Sequence, residues 1–406
     1  MIGAALAMTM YAYVAAEGWG GDTAPHWLWV WIALSGVAAV VLVAGWPGEI
    51  WWRRGASATA LLLCLLSSAL MLNLWSGSFP TVQSAWRQLT AGPLPDQTTP
   101  VAVAAIRQSG VMPPKGSVVA VNTGDTASGF PHRSEYVYLP PAWFVTQHRA
   151  TAGGVAAPQL PTLLMIGGEF NTPADWLRAG DAVTTMDEFA AAHGGYAPVL
   201  VFADAGGTFN NDTECVNGPR GNAADHLTKD VVPYLIADFG VSPNPAHWGV
   251  VGWSMGGTCA VYLTVMHPEL FSTFEDIAGD VSPNSGTQAQ TVARLFGGST
   301  AAWASSDSST MMTRHGRYNG MSGWFDVNAT PPGTSDGELN AANSLCSVAT
   351  ANGISCIVQT QPGQHDWPFA SQAFAAALPR LTDKIGTHSA PTAGADEIEA
   401  ATSNRR

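Results

Sequence analysis

Apolar and polar positions divide the chain into an apolar N-terminal region and a longer part in which short apolar runs alternate with amphipathic ones. Residues 27–45 and 56–75 are uncharged apolar runs. At about 20 residues, each is long enough to cross the hydrocarbon core of a bilayer as a helix. Residues 2–16 form a shorter, weaker run that fits a first span or a signal-like segment. The pattern therefore predicts a transmembrane region over residues 1–75 with two to three helices.

The charges between the apolar runs predict how this region is oriented. Arg53 and Arg54 lie between the second and third runs, whereas Glu17 and Asp22 lie between the first and second. Loops rich in Lys and Arg stay in the cytoplasm. We therefore expect the Arg pair inside the cell and everything after residue 75 outside.

The rest of the chain has the pattern of one folded domain between two polar segments. Residues 76–100 are predicted to be a linker, residues 101–385 the domain, and residues 386–406 a disordered tail. Apolar residues that recur every 2 residues indicate a strand, and apolar residues that recur every 3.6 residues indicate a helix. Predicted strands are 117–121, 135–139, 162–166, 199–202, 248–251, 274–278, 323–327 and 354–359; predicted helices are 174–189, 223–238, 259–266, 339–351 and 369–384.

This alternation of strands and helices defines the fold class. Strands that alternate with helices form βαβ units, and these build a mostly parallel sheet with helices on both faces. The sequence therefore predicts an α/β domain. A stretch without a clear period, residues 282–317, interrupts the alternation.

One strand-to-helix junction has the pattern of a nucleophile elbow. The apolar run 248–251 ends in Gly-Trp-Ser-Met-Gly at 252–256, and a helical run follows. In this G-x-S-x-G turn the glycines remove Cβ atoms that would clash, and the serine is lifted clear of the sheet at a helix N-terminus. Ser254 is the candidate nucleophile.

A serine hydroxyl needs a base to take its proton. The base should lie in a loop after a later strand, and His365 directly follows the predicted strand 354–359. Three other histidines lie downstream, at the end of the next helix, in the variable stretch and in the tail: His267, His315 and His388.

The acid that orients the imidazole should leave the strand 323–327. Asp336 is the preferred candidate, and Glu338 and Asp326 are the alternatives. Asp336 and Glu338 could instead cap the helix that follows them. The oxyanion hole should use the backbone N–H of Met255. Its second N–H should come from the loop after the strand 162–166, either at Glu169 or at Phe170.

Composition limits the partners of the chain. With 17 Lys and Arg against 30 Asp and Glu, the net charge of −13 argues against nucleic acid. Charged residues make up only 12% of the chain, which agrees with a part in lipid. Four of the five cysteines lie in the domain, so two disulfides are expected outside the cytoplasm. No Cys/His cluster has metal-ligand spacing, so neither a metal nor another cofactor is expected.

With these residues in place, residues 135–381 resemble the Putative esterase family of α/β hydrolases, which includes esterase D, feruloyl esterases and the antigen 85 mycolyltransferases. The N-terminal spans are similar to its actinobacterial membrane-anchored branch. The segments that carry the resemblance are 136–141, 163–168, 252–257 and 363–367.

The resemblance implies an α/β-hydrolase fold in which Ser254 is the nucleophile, His365 is the base, and Met255 and Glu169 are the amide donors. Two departures stand out. The family's His-Gly or Asp-Gly at the oxyanion loop is Gly-Gly at 167–168, and residues 328–335 resemble an insertion, which leaves the acid open. A bridge between Cys215 and Cys259 would clamp the loop beside the nucleophile, and Cys346 and Cys356 would form the second disulfide.

The expected function is that of a membrane-anchored, extracytoplasmic serine esterase that forms an acyl-enzyme. Its substrates would be carboxylic esters of cell-envelope lipids, such as aminoacyl- or acyl-phospholipids. With a sugar as acceptor, the same acyl-enzyme would make it a mycolyltransferase-like acyltransferase. An alternative of another class is an inactive hydrolase fold that binds the envelope. The oligomeric state is not predicted.

Overall fold

The computed structural model describes residues 1–18, 24–48, 50–76, 92–151, 159–329 and 337–386, with isolated positions between 79 and 90. Its N-terminal region contains the helices α1 (Ile2–Glu17), α2 (His26–Gly45) and α3 (Trp51–Ser76). Within the described residues, α2 and most of α3 are long and apolar enough to cross a membrane, and α1 is shorter.

The domain contains nine strands in its main sheet and a small hairpin among the residues described. The strands are β1 (Gln97–Thr98), β2 (Ser117–Val121), β3 (Glu135–Leu139), β4 (Thr162–Ile166), β5 (Val199–Phe202), β6 (Asn217–Gly218), β7 (Gly221–Asn222), β8 (Trp248–Trp253), β9 (Thr273–Ile277), β10 (Ser322–Asn328) and β11 (Ser355–Gln361). The helices are α4 (Pro100–Ser109), α5 (Pro141–Thr151), α6 (Asp175–Arg178), α7 (Ala182–Ala192), α8 (Ala223–Asp225), α9 (Val232–Phe239), α10 (Met255–Met266), α11 (Gln288–Phe296), α12 (Thr300–Ser305), α13 (Ser308–His315), α14 (Gly337–Ala351) and α15 (Trp367–Ile385). A π-helical turn, His226–Val231, joins α8 to α9.

The main sheet has the order β1-β2-β3-β5-β4-β8-β9-β10-β11. The pairs β2–β3 and β3–β5 are antiparallel, and the other neighbouring strands are parallel. Buried apolar clusters cover both faces, as a sheet with helices on both sides requires. The predicted α/β class and α/β-hydrolase architecture are confirmed. Strand β8, which leads to the elbow, lies between β4 and β9, so the candidate site is at the middle of the sheet.

The structure differs from the predicted elements at several places, among them β1 and α4, which were not predicted. The predicted helix 174–189 is two helices, α6 and α7, because Asp181 adopts a left-handed backbone with φ 50°. At Gly180 a Cβ would approach the ring atoms of Trp176 and Trp367 to within 2.8–2.9 Å, so the chain turns where those rings pack. Helix α5 was not predicted, and the variable stretch 282–317 contains the helices α11, α12 and α13.

The close packing of the sheet gives a test of the fold at Gly323 in β10. A Cβ at this position would overlap the ring of Phe274 on the neighbouring strand. Because cores tolerate little added volume, we expect Gly323→Val to cost about 3 kcal/mol or more of unfolding free energy. The midpoint of thermal unfolding in detergent should fall by about 5–10 °C.

Gly337, the exposed first residue of α14, is the matched control, because a Cβ there meets no atom within 4 Å. Gly337→Ala should leave the midpoint within about 2 °C, since an alanine costs a helix nothing. An equal loss of stability in both variants would contradict the packing at Gly323.

Candidate active site

Ser254 lies in a tight turn between β8 and α10. Its backbone has φ 58° and ψ −121°, and its N–H donates to the carbonyl of Ile277 on β9 at 2.9 Å. A Cβ at Gly252 would overlap the carbonyl of Gly256, and one at Gly256 would overlap the carbonyl of Ile166. Both glycines are therefore required by the turn, as the motif predicts.

His365 lies in the loop between β11 and α15, against the nucleophile turn. Its Nε2 is 3.0 Å from Ser254 Oγ, although 111 residues separate the two. The Trp253 ring lies beside the imidazole, with centroids 5.3 Å apart. The neighbouring Asp366 caps α15 by accepting the Phe369 N–H, so its carboxylate faces the helix and not the imidazole.

Glu338 provides the carboxylate on the other side of the imidazole. Its Oε1 is 3.1 Å from His365 Nδ1, and it lies in the first turn of α14. Asp326 points elsewhere, because it accepts a hydrogen bond from Gln361 at 2.7 Å. Burial raises the Asp326 pKa to about 6. Asp336, the acid preferred from the sequence, lies outside the described residues.

These contacts define which proton goes where. When the proton of the neutral imidazole is on Nδ1, it is donated to Glu338, and Nε2 can accept the proton of the Ser254 hydroxyl. This is the tautomer that a general base needs. The His365 and Glu338 side chains are 39% and 32% exposed, so the imidazole can be reached from solvent. The arrangement can remove a proton from the serine and return it to a leaving group.

The loop after β4 runs directly beside the nucleophile. A Cβ at Gly168 would lie 3.3 Å from Ser254 Cβ, so a side chain there would crowd the serine. The Gly168 N–H donates to Asn171 Oδ1 at 2.9 Å, and the Asn171 N–H returns to the Gly168 carbonyl at 3.0 Å. Glu169 lies inside this turn. Met255 is the first residue of α10, where N–H groups have no acceptor within the helix.

Carboxyl groups surround the N-terminal end of α10. The Asp280 N–H donates to Thr258 Oγ1 on that helix at 2.9 Å. Glu214 is 4% exposed, and its pKa is raised well above the usual range by burial and then by the charges of Asp212, Asp280 and Glu169. This side of the candidate site therefore holds several carboxyl groups, and the raised pKa of Glu214 favours its neutral, protonated form.

Both expected disulfides are present. The bridge between Cys215 and Cys259 ties the loop after β5 to α10, with Cα atoms 5.4 Å apart. The bridge between Cys346 and Cys356 joins α14 to β11, with Cα atoms 5.5 Å apart. Cys64, in α3, is the free cysteine of the described chain. The first bridge holds Glu214 beside the nucleophile helix.

One group of potential metal ligands was not found from the sequence, because its members come from distant segments: His132, Glu135 and His226. The Glu135 carboxylate already accepts hydrogen bonds from the Asp204 N–H, the His226 Nε2 and the hydroxyl of Thr123. The two imidazoles stack with centroids 4.6 Å apart, which does not aim their nitrogens at one point. We therefore interpret this group as a buried hydrogen-bond network.

Taken together, the fold and the elbow define an α/β hydrolase. A family model described as "Putative esterase" matches residues 133–381. The chain therefore belongs to the Putative esterase family, as the sequence motifs predict.

Two proteins have sequences similar to this chain, and one solved structure has a similar fold. An uncharacterised protein of Corynebacterium glutamicum is 27% identical over 343 residues, which cover 81% of this chain and 75% of that protein. The MPT51 antigen of Mycobacterium leprae is 29% identical over 137 residues, or 31% of this chain and 42% of that protein. The fold is similar to that of the Staphylococcus aureus fluorophosphonate-binding serine hydrolase FphF, with a TM-score of 0.52, 13% identity, and coverage of 66% of this chain and 98% of that chain.

The contact between Glu338 and His365 gives a test that separates the three acid candidates. We expect Glu338→Gln to lower kcat/KM for a p-nitrophenyl ester by about 10²-fold or more, because the amide no longer stabilises the imidazolium. Asp326→Asn and Asp336→Asn should stay within about threefold of the wild type. A larger loss in either of these variants than in Glu338→Gln would contradict the assignment of Glu338.

Proposed function

We propose that this protein is a serine esterase in which Ser254 is the nucleophile, His365 the general base and Glu338 the acid. The observation that carries the proposal is the continuous set of contacts from Ser254 Oγ to His365 Nε2, and from His365 Nδ1 to Glu338, at 3.0 and 3.1 Å. The same chain belongs to an esterase family.

The proposed reaction has two steps. Ser254 Oγ attacks the ester carbonyl while His365 takes its proton, and the tetrahedral oxyanion accepts hydrogen bonds from the amides of Met255 and Glu169. The imidazolium then protonates the leaving alcohol, which leaves the acyl group on Ser254. In the second step His365 activates a water, and hydrolysis releases the acid and restores the serine. The solvent-exposed side of His365 supports water as the acceptor.

Replacing the nucleophile tests this mechanism. Ser254→Ala should reduce turnover of a p-nitrophenyl ester to background, a loss on the order of 10⁶-fold, and should abolish labelling by a fluorophosphonate probe. Ser305→Ala is a control, since its exposed hydroxyl donates to the Ala302 carbonyl within its own helix. Retained turnover in Ser254→Ala, with an unchanged unfolding midpoint, would refute the proposal. A wild type with neither turnover nor fluorophosphonate labelling would instead favour the alternative of an inactive fold that binds the envelope.

We further propose that the domain works outside the cytoplasm, anchored by the N-terminal helices. Two disulfides support an oxidising compartment. The end of α1 contacts the domain, because Arg294 Nη1 donates to the Glu17 carbonyl at 2.8 Å and Gln290 Nε2 donates to the Ala15 carbonyl at 3.1 Å. The positive-inside rule assigns the Glu17 end of α1 and the chain after residue 75 to the same, outer side. The contact agrees with that orientation.

Anchoring beside the bilayer favours envelope lipids as the ester substrates. Among them, the carboxylates around the nucleophile helix favour an acyl group that carries an amine. Glu214 and Asp280 would stabilise such a cation, and its charge would favour the ionised form of Glu214, which burial and the neighbouring carboxyl groups otherwise disfavour. We therefore propose aminoacyl esters of phospholipids as the substrate class, ahead of plain acyl esters. A sugar in place of water as acceptor would convert the same acyl-enzyme to an acyltransferase.

A matched pair of soluble esters tests the preference for an amine. The alanyl and propionyl esters of p-nitrophenol differ only by the amino group. We expect kcat/KM to be at least about 10-fold higher for the alanyl ester, after correction for its faster spontaneous hydrolysis. Glu214→Gln should reduce this ratio without lowering turnover of the propionyl ester, because the amide removes only the charge.

Mass spectrometry of the intact protein provides the second measurement of this preference. After incubation with total envelope lipids, the protein should gain the mass of an aminoacyl group on Ser254. A fatty-acyl mass, or equal kcat/KM for the two soluble esters, would contradict the aminoacyl proposal while leaving the esterase intact. Loss of the adduct on addition of a sugar, with formation of an acylated sugar, would identify the acyltransferase.

A further inference from the structure

Arg133, just before β3, lies behind the loop that follows β4. Its guanidinium forms a fork on the Asp204 carboxylate, with Nη2 at 2.6 Å and Nε at 3.0 Å from the two oxygens. The Arg133 backbone N–H donates to the same carboxylate at 2.6 Å. The remaining bond of Nη2 goes to the backbone carbonyl of Asn171, at 2.8 Å. The arginine therefore joins two loops, one after β5 and one after β4.

The contact at Asn171 leads directly to the nucleophile. Asn171 Oδ1 accepts the Gly168 N–H, and the Asn171 N–H donates back to the Gly168 carbonyl. Gly168 and Asn171 thus close a turn around Glu169, and the backbone of Gly168 packs against Ser254. Because the turn is held at its Asn171 end by Arg133, the direction of the Glu169 amide depends on the guanidinium.

The anchor of Arg133 is itself rigid. The Asp204 carboxylate is buried and also accepts the N–H groups of Gly206 and Gly207, at 3.1 and 3.2 Å. Burial alone would raise the Asp204 pKa, but the hydrogen bonds and charge of Arg133 outweigh it and lower that pKa. The Asp204 N–H donates to Glu135, which pairs with His226. The arginine is therefore fixed to a buried network and not to a mobile surface group.

We propose that Arg133 is a positioning residue for the oxyanion hole. By holding the Asn171 carbonyl, Arg133 aims the Glu169 amide at the developing oxyanion. This rests on the proposed function, since it presumes that Ser254 forms a tetrahedral intermediate. An arginine is required because one planar cation must bind three oxygens, the two of the Asp204 carboxylate and that of the Asn171 carbonyl, which a lysine ammonium does not reproduce. The effect should appear in the transition state, where the oxyanion forms, and not in binding of the ester.

Arg133→Met and Arg133→Lys test this role with a soluble p-nitrophenyl ester. We expect kcat to fall about 10- to 100-fold in Arg133→Met, less than the full loss of an oxyanion donor, with KM within about twofold. The Ki of a trifluoromethyl ketone, which forms a tetrahedral adduct on the serine, should rise in parallel with the fall in kcat/KM. Guanidinium ion at millimolar concentration should restore part of kcat in Arg133→Met, and Arg133→Lys should retain only part of it.

Arg178→Met is the matched control, because Arg178 also donates to a backbone carbonyl, that of Gly92, but takes no part in the site. A loss of kcat in Arg133→Met no larger than in Arg178→Met, or a rise in KM with unchanged kcat, would overturn the proposal. If Arg133→Met fails to fold, Arg133→Lys carries the test, and an unchanged ketone Ki in that variant would overturn the proposal as well.

Labelling by a fluorophosphonate distinguishes a failure of the Arg133 positioning role from a failure of the proposed serine mechanism. If the wild type does not react with a fluorophosphonate, or if Ser254→Ala still does, the serine mechanism itself fails. If the wild type reacts through Ser254 and Arg133→Met reacts at the same rate, only the positioning role fails. Slower phosphonylation of Arg133→Met supports both.

Discussion

The backbone turn at Ser254 is the constraint on which the rest of the structure depends. A non-glycine residue in such a conformation costs about 1–3 kcal/mol, so the surroundings must hold it there. Gly252 and Gly256 make room for the turn, and the bond from the Ser254 N–H to Ile277 fixes it to β9. The strained turn exposes the hydroxyl at the end of the sheet, where loops from several strands can reach it.

The parallel sheet explains how distant segments meet at this turn. Strands β8, β9, β10 and β11 are neighbours and run in the same direction, so their carboxyl ends lie along one edge. The loop after β11 brings His365 to Ser254, and the segment after β10 brings Glu338 to His365. Each group is close to the next because the strands are adjacent, not because the residues are close in sequence.

Buried charge distinguishes the two sides of the nucleophile. Behind the oxyanion loop, Arg133 neutralises Asp204, and the Nε and Nη2 atoms of its guanidinium bond both oxygens of that carboxylate. Beside α10, burial and then the charges of Asp212, Asp280 and Glu169 raise the pKa of Glu214 well above the usual range. A low dielectric makes the first arrangement rigid and the second receptive to a cationic group.

Local chemistry determined the α/β class, the strand–turn–helix around Ser254 and the loop that carries His365, because each depends on short patterns of apolar residues and glycines. The same pattern missed the break at Asp181, next to Gly180, where the rings of Trp176 and Trp367 leave no room for a side chain. It also could not choose between Asp336 and Glu338, since two positions at the start of a helix differ only in which way they face. Arg133 went unnoticed for a related reason: its partner Asp204 is 71 residues away. Contacts of that range arise only when strands pair, so the tertiary structure alone decided them.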